Sequence, residues 1–157
     1  MGFFIGIKEC VMTYLEKILY LSGKYISQCQ FVVKTAYRLS FLNQTKKEGY
    51  ISSLDALEVK ESQALSLLKE HMHYSGEEHI TYLQDKGFSI KDFALLKKVL
   101  LRRDYLISTY YMDNSEALGR EEVAIYESKI KELEEYCQDC DKLNVELNKL
   151  CDRFYSL

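Results

Sequence analysis

Three histidines, His71, His73 and His79, lie close together with three glutamates beside them. Imidazole and carboxylate groups are ligands for zinc or iron. The spacing is unfavourable, because His71 and His73 are two residues apart and point to different faces of a helix. The one Glu-x-x-His motif, from Glu70 to His73, has no second copy, which a di-iron bundle requires. A metal-binding helical bundle is therefore an alternative function, and a polar turn that contains histidine is favoured.

The five cysteines, Cys10, Cys29, Cys137, Cys140 and Cys151, could supply thiol chemistry. Cys137 and Cys140 are three residues apart and share a helix face. A zinc ribbon needs a second pair of this kind, which the sequence lacks. All five lie inside apolar helical patterns, where a small hydrophobic residue is expected. The sequence therefore favours core packing in a reducing, cytoplasmic setting, although two copies paired in parallel could crosslink on oxidation.

A short basic cluster consists of Lys97, Lys98, Arg102 and Arg103. Such side chains can bind the phosphates of a nucleic acid. The cluster is short and the chain carries a net charge of −3. A nucleic-acid binder is thus a second alternative, and a solvated face or ionic contact with the acidic stretch 132–135 is favoured.

Catalytic motifs are missing from the sequence. It has no glycine-rich phosphate loop, no nucleophile elbow and no evident Ser/His/Asp set. Neighbouring carboxylates occur only in surface-type runs such as Glu134-Glu135. We therefore expect a protein that is not an enzyme, with no cofactor and no small-molecule substrate.

The elements that must position these residues are helices, because the 157 residues include no proline. Proline breaks helix interiors, and a chain of this length would ordinarily contain about 8. We predict an all-α fold in one domain, 1–157: a helical bundle with long first and last helices. Glycines, polar stretches and caps divide the chain into about five helices, near 4–43, 53–73, 76–86, 90–112 and 116–156.

The caps mark several of these boundaries. Ser52 or Ser53 is placed to cap the second helix, and Ser75 with Glu78 matches a capping box. Gly87 closes the third helix, and the stretch 113–115 (Asp-Asn-Ser) marks the last break.

The first helix carries two apolar stripes, one of which includes Leu15, Leu19 and Ile26. Two stripes predict a helix that is covered on much of its circumference and lies centrally. Its segment is basic, with a balance of +4 over residues 1–52, whereas residues 113–157 carry −6. The first and last helices could therefore pack antiparallel, with the middle helices covering one end.

The last helix has apolar residues at alternating spacings of three and four, which predicts a coiled-coil-like seam. Asn144 interrupts it at an a position, where a polar residue fixes register or oligomer state, so Asn144→Leu should stabilise the fold but loosen its oligomeric definition. The seam consists of Val123, Tyr126, Ile130, Leu133, Cys137, Cys140, Asn144, Leu147, Cys151 and Phe154.

The apolar start of the chain, with Phe3, Phe4, Ile5 and Ile7, could insert into a membrane surface. It has neither the cationic leader of a signal peptide nor the length of a spanning helix, so we expect no membrane partner.

A long periodic seam without a catalytic set favours protein–protein interaction. We therefore expect a non-enzymatic helical interaction module of the adaptor, chaperone or inhibitor type. The simplest version is a homo-oligomer, a homodimer that self-associates through residues 123–157.

Overall fold

The computed structural model describes residues 12–48 and 53–156, and these ranges form six α-helices and no strand. The prediction of an all-α fold is confirmed, and the predicted number of five helices is wrong. The apolar residues Phe3, Phe4, Ile5 and Ile7 and the thiol of Cys10 lie outside the described residues. The helices are α1 (Tyr14–Lys47), α2 (Leu54–Glu70), α3 (Gly76–Leu83), α4 (Ile90–Ser108), α5 (Tyr110–Gly119) and α6 (Val123–Arg153).

The extra helix, α5, arises because the predicted break at residues 113–115 is helical. The side chain of Asn114 is buried and its Nδ2 donates to the carbonyl of Tyr110, and Ser115 Oγ donates to the carbonyl of Met112. Both polar side chains thus bond back into the preceding turn instead of capping a new helix. The chain breaks instead at Thr109, with φ −129° and ψ −27°, and at Glu121, with φ 55°.

The ends of α1 follow local capping. Thr13 forms a capping box with Glu16, which starts the helix. The first helix continues beyond its predicted end near residue 43 to Lys47, and there Thr45 is buried and its hydroxyl donates back to the carbonyl of Phe41. Two lysines in the last turn complement the negative end of the helix dipole.

The two long helices, α1 and α6, pack parallel, so the expected antiparallel arrangement is wrong. The Sγ of Cys137 lies 3.8 Å from the carbonyl oxygen of Leu21, and that of Cys151 lies 3.9 Å from that of Thr35. Both contacts join residues 116 apart, so the two helices advance together in one direction.

The middle helices explain this direction, because they return the chain to the start of α1. Tyr25 on α1 donates its hydroxyl to the carbonyl of Val99, and Ser22, earlier on α1, accepts a hydrogen bond from Tyr111. The chain thus runs along α4 towards the beginning of α1, where α5 crosses and α6 begins. The opposite charges of the two segments are satisfied in this arrangement as well, for example between Lys17 and Glu134 at 3.6 Å.

The core lies along α1, which contacts α2, α3, α4 and α6. The prediction that the first helix is covered on much of its circumference is therefore confirmed for the later half of α1. The fully buried side chains of the whole helix include Ile18, Tyr25, Val32, Tyr37 and Leu42. None of the helices in the described part of the chain has a segment long and apolar enough to cross a lipid bilayer.

Candidate functional site

The histidines contribute to a buried cluster that is centred on the hydroxyl of Tyr37. This hydroxyl lies 2.8 Å from Nδ1 of His71 and 2.9 Å from Nδ1 of His79. It can donate its one proton to one imidazole and accept an N–H from the other. The cluster therefore connects α1 with the end of α2 and with α3 through two hydrogen bonds.

Aromatic rings enclose these hydrogen bonds. Tyr82 stacks on Tyr37 with ring centroids 5.0 Å apart, and Tyr74 stacks on His71 at 4.0 Å. The Nζ of Lys86 lies 5.1 Å from the Tyr82 ring centroid. The rings keep water from the polar atoms on several sides, which strengthens the hydrogen bonds.

The position of α3 depends on its first residues. Ser75 and Glu78 form the predicted capping box, and the carboxylate of Asp104 on α4 accepts from the backbone N–H of Gly76 at 2.7 Å and of Glu77 at 3.1 Å. A Cβ at Gly76 would lie 2.3 Å from the carbonyl oxygen of Leu100. Glycine is therefore required for α3 to approach α4 this closely, and this approach holds His79 against Tyr37.

Both His79 and Tyr37 are held neutral. Burial lowers the pKa of His79 to about 4, and the positive charge of Arg103 and the imidazole of His71 act in the same direction. The carboxylates of Asp104 and Glu78 oppose the change only in part. Burial also raises the pKa of Tyr37 above its usual value. The cluster thus holds the His79 imidazole and the Tyr37 phenol neutral and hydrogen-bonded to each other.

The predicted set of His71, His73 and His79 does not converge. His73 is exposed, while the other two meet at Tyr37. Over residues 12–48 and 53–156, no three His, Cys, Asp or Glu side chains are grouped so that they could hold a metal ion. The geometry fits a hydrogen-bonded connection between helices better than a metal centre.

The four described cysteines, Cys29, Cys137, Cys140 and Cys151, are buried and unbridged. A hydrogen bond with Cys29 and burial raise the pKa of Cys140, and burial raises that of Cys137 and brings that of Cys151 to about 11. The last three thiols are therefore protonated at neutral pH. A protonated, buried thiol is a poor nucleophile and a poor metal ligand, so these residues act as core side chains.

The basic cluster is largely engaged by the bundle. Asp139 on α6 lies 2.7 Å from Nη1 of Arg102 and 3.6 Å from Nζ of Lys98. The guanidinium of Arg102 also lies 4.2 Å from the ring centroid of Tyr136. Arg103 contacts Asp104 at 3.6 Å, and Lys97 makes no ion pair with a described residue. These contacts engage both arginines within the bundle and leave the two exposed lysines, Lys97 and Lys98, as the accessible part of the cluster.

The ten predicted seam residues lie mostly in the core of this one chain. Seven are buried, Asn144 and Phe154 are half-buried, and Val123 is 51% exposed. The helix that covers them is α1. Asn144 Oδ1 accepts hydrogen bonds from Thr35 at 3.3 Å and from Asn148 at 3.2 Å. The polar residue at the a position is therefore satisfied without a second copy.

An open cleft of about 470 Å³ lies between the end of α1, the start of α4 and the end of α6. It combines apolar side chains with Asp92, Lys46 and Arg153, and its described lining includes no histidine or cysteine. The cleft shows no grouping of chemically reactive side chains.

The first half of α1 carries an exposed apolar face that the sequence interpretation missed. We call the exposed α1 face the side chains of Leu15, Leu19, Tyr20 and Phe31, with the half-buried Ile26 between them. The four are 45%, 52%, 54% and 61% exposed. Leu15, Leu19 and Ile26 belong to the second apolar stripe, which the sequence predicts to be covered. Tyr20 and Phe31 belong to neither stripe.

The uncovered part of α1 ends where the histidine cluster begins. From Tyr37 onwards, α1 is covered by the end of α2 and by α3. Near Ser22 and Tyr25, helices α4, α5 and α6 pack on the side of α1 that is opposite to the exposed α1 face. The exposed α1 face is therefore a surface beside a closed core.

Comparison of the chain with protein-family models, with curated proteins and with solved structures finds no match.

Proposed function

We propose that the protein is a non-enzymatic helical module that binds another protein through the exposed α1 face. The observation that supports this most strongly is the exposure of four large apolar side chains on one stretch of one helix. Soluble monomers rarely expose contiguous apolar patches larger than about a few hundred Å², and patches above that size mark interaction sites. Tyr20 and Phe31 add the aromatic side chains that are enriched at the centre of protein interfaces.

The surface differs from the one that the sequence favoured. Pairing of two α6 helices through the seam, as in a coiled coil, would first require α1 and α6 to separate. That would expose buried side chains such as Leu133 and Leu147, each of which stabilises the fold by about 2 kcal/mol. Binding through the exposed α1 face leaves this core intact. Self-association through the C-terminal helix is therefore replaced in our proposal by docking on α1.

A non-enzymatic role is supported by what the titratable groups already contact. The imidazoles of His71 and His79 bond Tyr37, the thiols of α6 lie in the core, and the acid Asp139 pairs with Arg102. These groups hold helices together, and each would have to leave its partner before it could act on a substrate.

The proposal is tested by a photo-crosslinking amino acid at position 31, in place of Phe31, in cells that produce the protein. The matched control places the same group at Val145 on α6, which is 53% exposed. We expect a covalent adduct with a protein from position 31 and none from position 145. Equal labelling from both positions, or none from either, would overturn the proposal.

A further inference from the structure

We propose that the partner of the exposed α1 face is a second copy of this chain, and that the two α1 helices cross antiparallel at Gly23. This inference rests on the proposed function, because it names the occupant of the same surface. It is carried by the arrangement of side chains around Gly23.

Gly23 lies on the exposed side of α1, and a Cβ built on it meets no heavy atom within 4 Å. Glycine lowers helix stability relative to alanine, and no contact with the described residues requires it here. A glycine at the centre of an apolar helix face lets a second backbone approach closely. An incoming helix would use this space.

The apolar side chains around Gly23 are complementary to themselves. At about 100° per residue, Leu19 and Ile26 lie on one side of the line through Gly23, and Tyr20 and Ser27 lie on the other. Leu19 is four residues before Gly23 and Ile26 is three residues after it. A two-fold axis at Gly23 therefore brings each Leu19 beside the partner's Ile26, and this contact occurs twice.

The charges along this face fit the same arrangement. Between residues 12 and 34 the only acidic residue is Glu16, and the basic residues are Lys17, which pairs with Glu134 of the same chain, Lys24 and Lys34. The two-fold axis directs Glu16 towards the partner's Lys34, and Tyr20 towards the partner's Lys24. The first contact is an attraction of opposite charges and the second is a cation–π contact.

The neighbouring helices leave room for this crossing. Tyr37, where α2 and α3 begin to cover α1, is fourteen residues beyond Gly23, and Met12 is eleven residues before it. A second helix thus has an open length of just under about 40 Å on this face. One helix crossing is a smaller contact than a standard interface of about 800 Å² per partner, so we expect reversible association in the micromolar range.

The test is the molar mass of the purified full-length chain by light scattering after size exclusion, over a range of concentrations and with reductant. We expect the molar mass of the wild type to rise towards twice the monomer mass as the concentration increases. Gly23→Lys should remain monomeric over the same range, with association weakened at least tenfold, because two lysines would face each other at the axis. The control Val145→Lys should associate like the wild type.

Loss of folding cannot imitate this result, because Gly23→Lys replaces a helix-interior glycine at an open site and should raise the melting temperature. As a positive test, Gly23→Cys should form a disulfide-linked dimer with oxidised glutathione, whereas Val145→Cys should not. A wild type that is monomeric at every concentration would overturn the inference. So would a Gly23→Lys variant that still dimerises.

The two proposals can fail separately. If the purified chain is monomeric but the crosslinker at position 31 still captures a different protein, the second copy is wrong as occupant and the docking face stands. If the chain dimerises and the captured protein is the chain itself, both proposals are supported. If the crosslinker captures nothing and the chain is monomeric, both are overturned.

Discussion

Acid should weaken the fold through His79, and the size of the effect follows from its surroundings. Burial holds the pKa of His79 at about 4 in the folded chain, below its ordinary value of 6.5. The unfolded chain therefore binds the proton more tightly than the folded chain does. The stabilisation of the fold that depends on neutral His79 is complete above about pH 6.5, and it is lost as the pH falls from there towards 4.

The difference between these two pKa values corresponds to roughly 3 kcal/mol in the free energy of unfolding, of which about 2 kcal/mol is lost at pH 5. This is a large fraction of the stability of an ordinary domain. The charged and titratable groups that face His79 come from the helices packed against it and from its own: Tyr37, His71, Tyr74, Glu78, Arg103 and Asp104.

The assay is urea unfolding followed by far-UV circular dichroism between pH 7.5 and 4.5, on the wild type and on His79→Asn. Asparagine keeps a polar group near the Tyr37 hydroxyl but does not titrate in this range. Subtraction at each pH removes the acid dependence that the two proteins share. We expect the stability advantage of the wild type to shrink by about 2 kcal/mol between pH 7.5 and pH 5.

The control is His73→Asn, because His73 is exposed and outside the cluster. It should follow the wild type across the whole pH range. If the advantage of the wild type over His79→Asn stays constant from pH 7.5 to pH 5, the cluster does not hold His79 neutral and the reasoning is refuted.

Three further substitutions test other contacts by thermal or urea unfolding. Gly76→Ala should destabilise the fold by about 2 kcal/mol or more, because its Cβ would meet the carbonyl of Leu100 at 2.3 Å. Arg102→Ala should cost about 1–2 kcal/mol, because it removes the 2.7 Å contact with Asp139. Asn144→Leu should raise the melting temperature and leave the molar mass unchanged, because the position is half-buried within one chain. The two side chains that donate to Asn144 Oδ1, those of Thr35 and Asn148, also donate to backbone carbonyl groups, which the substitution leaves in place.

The first two of these variants have an internal comparison. Gly119→Ala adds a Cβ where no atom lies within 4 Å, so it should be neutral or slightly stabilising. Lys97→Ala removes an exposed cation from the same helix as Arg102 and should change stability by less than about 0.5 kcal/mol. If a control variant lost as much stability as the variant it is compared with, the effect would belong to a general change in the helix and not to the contact that the tested residue makes. A change in molar mass on Asn144→Leu would instead favour the seam as an interface.

Local sequence chemistry predicted the features that local contacts decide. Ser53 and Ser75 cap their helices as expected, and Gly87 adopts φ 91° at the turn before α4. These positions depend on a few neighbouring residues, and the residue types for a cap or a left-handed turn are few. The absence of proline predicted the fold class for a similarly local reason.

The features that sequence reasoning missed depend on contacts between distant residues. Asn114 and Ser115 are suitable as caps, but burial against the bundle and bonds to the preceding turn make them helical. Tyr37 lies 34 residues from His71 and 42 from His79, and no local pattern connects them. Periodicity located the stripe containing Leu19, but it could not tell which half of that stripe would be covered.

The parallel pairing of α1 and α6 has a consequence for synthesis on the ribosome. The buried side of α1 receives its main cover only when α6 has emerged, more than one hundred residues later. At ordinary translation rates this delay is on the order of ten seconds. During that interval only the shorter middle helices, as they are synthesised, can cover the apolar side of α1. We therefore expect a chain that is released before α6 is complete to expose this apolar side and to aggregate.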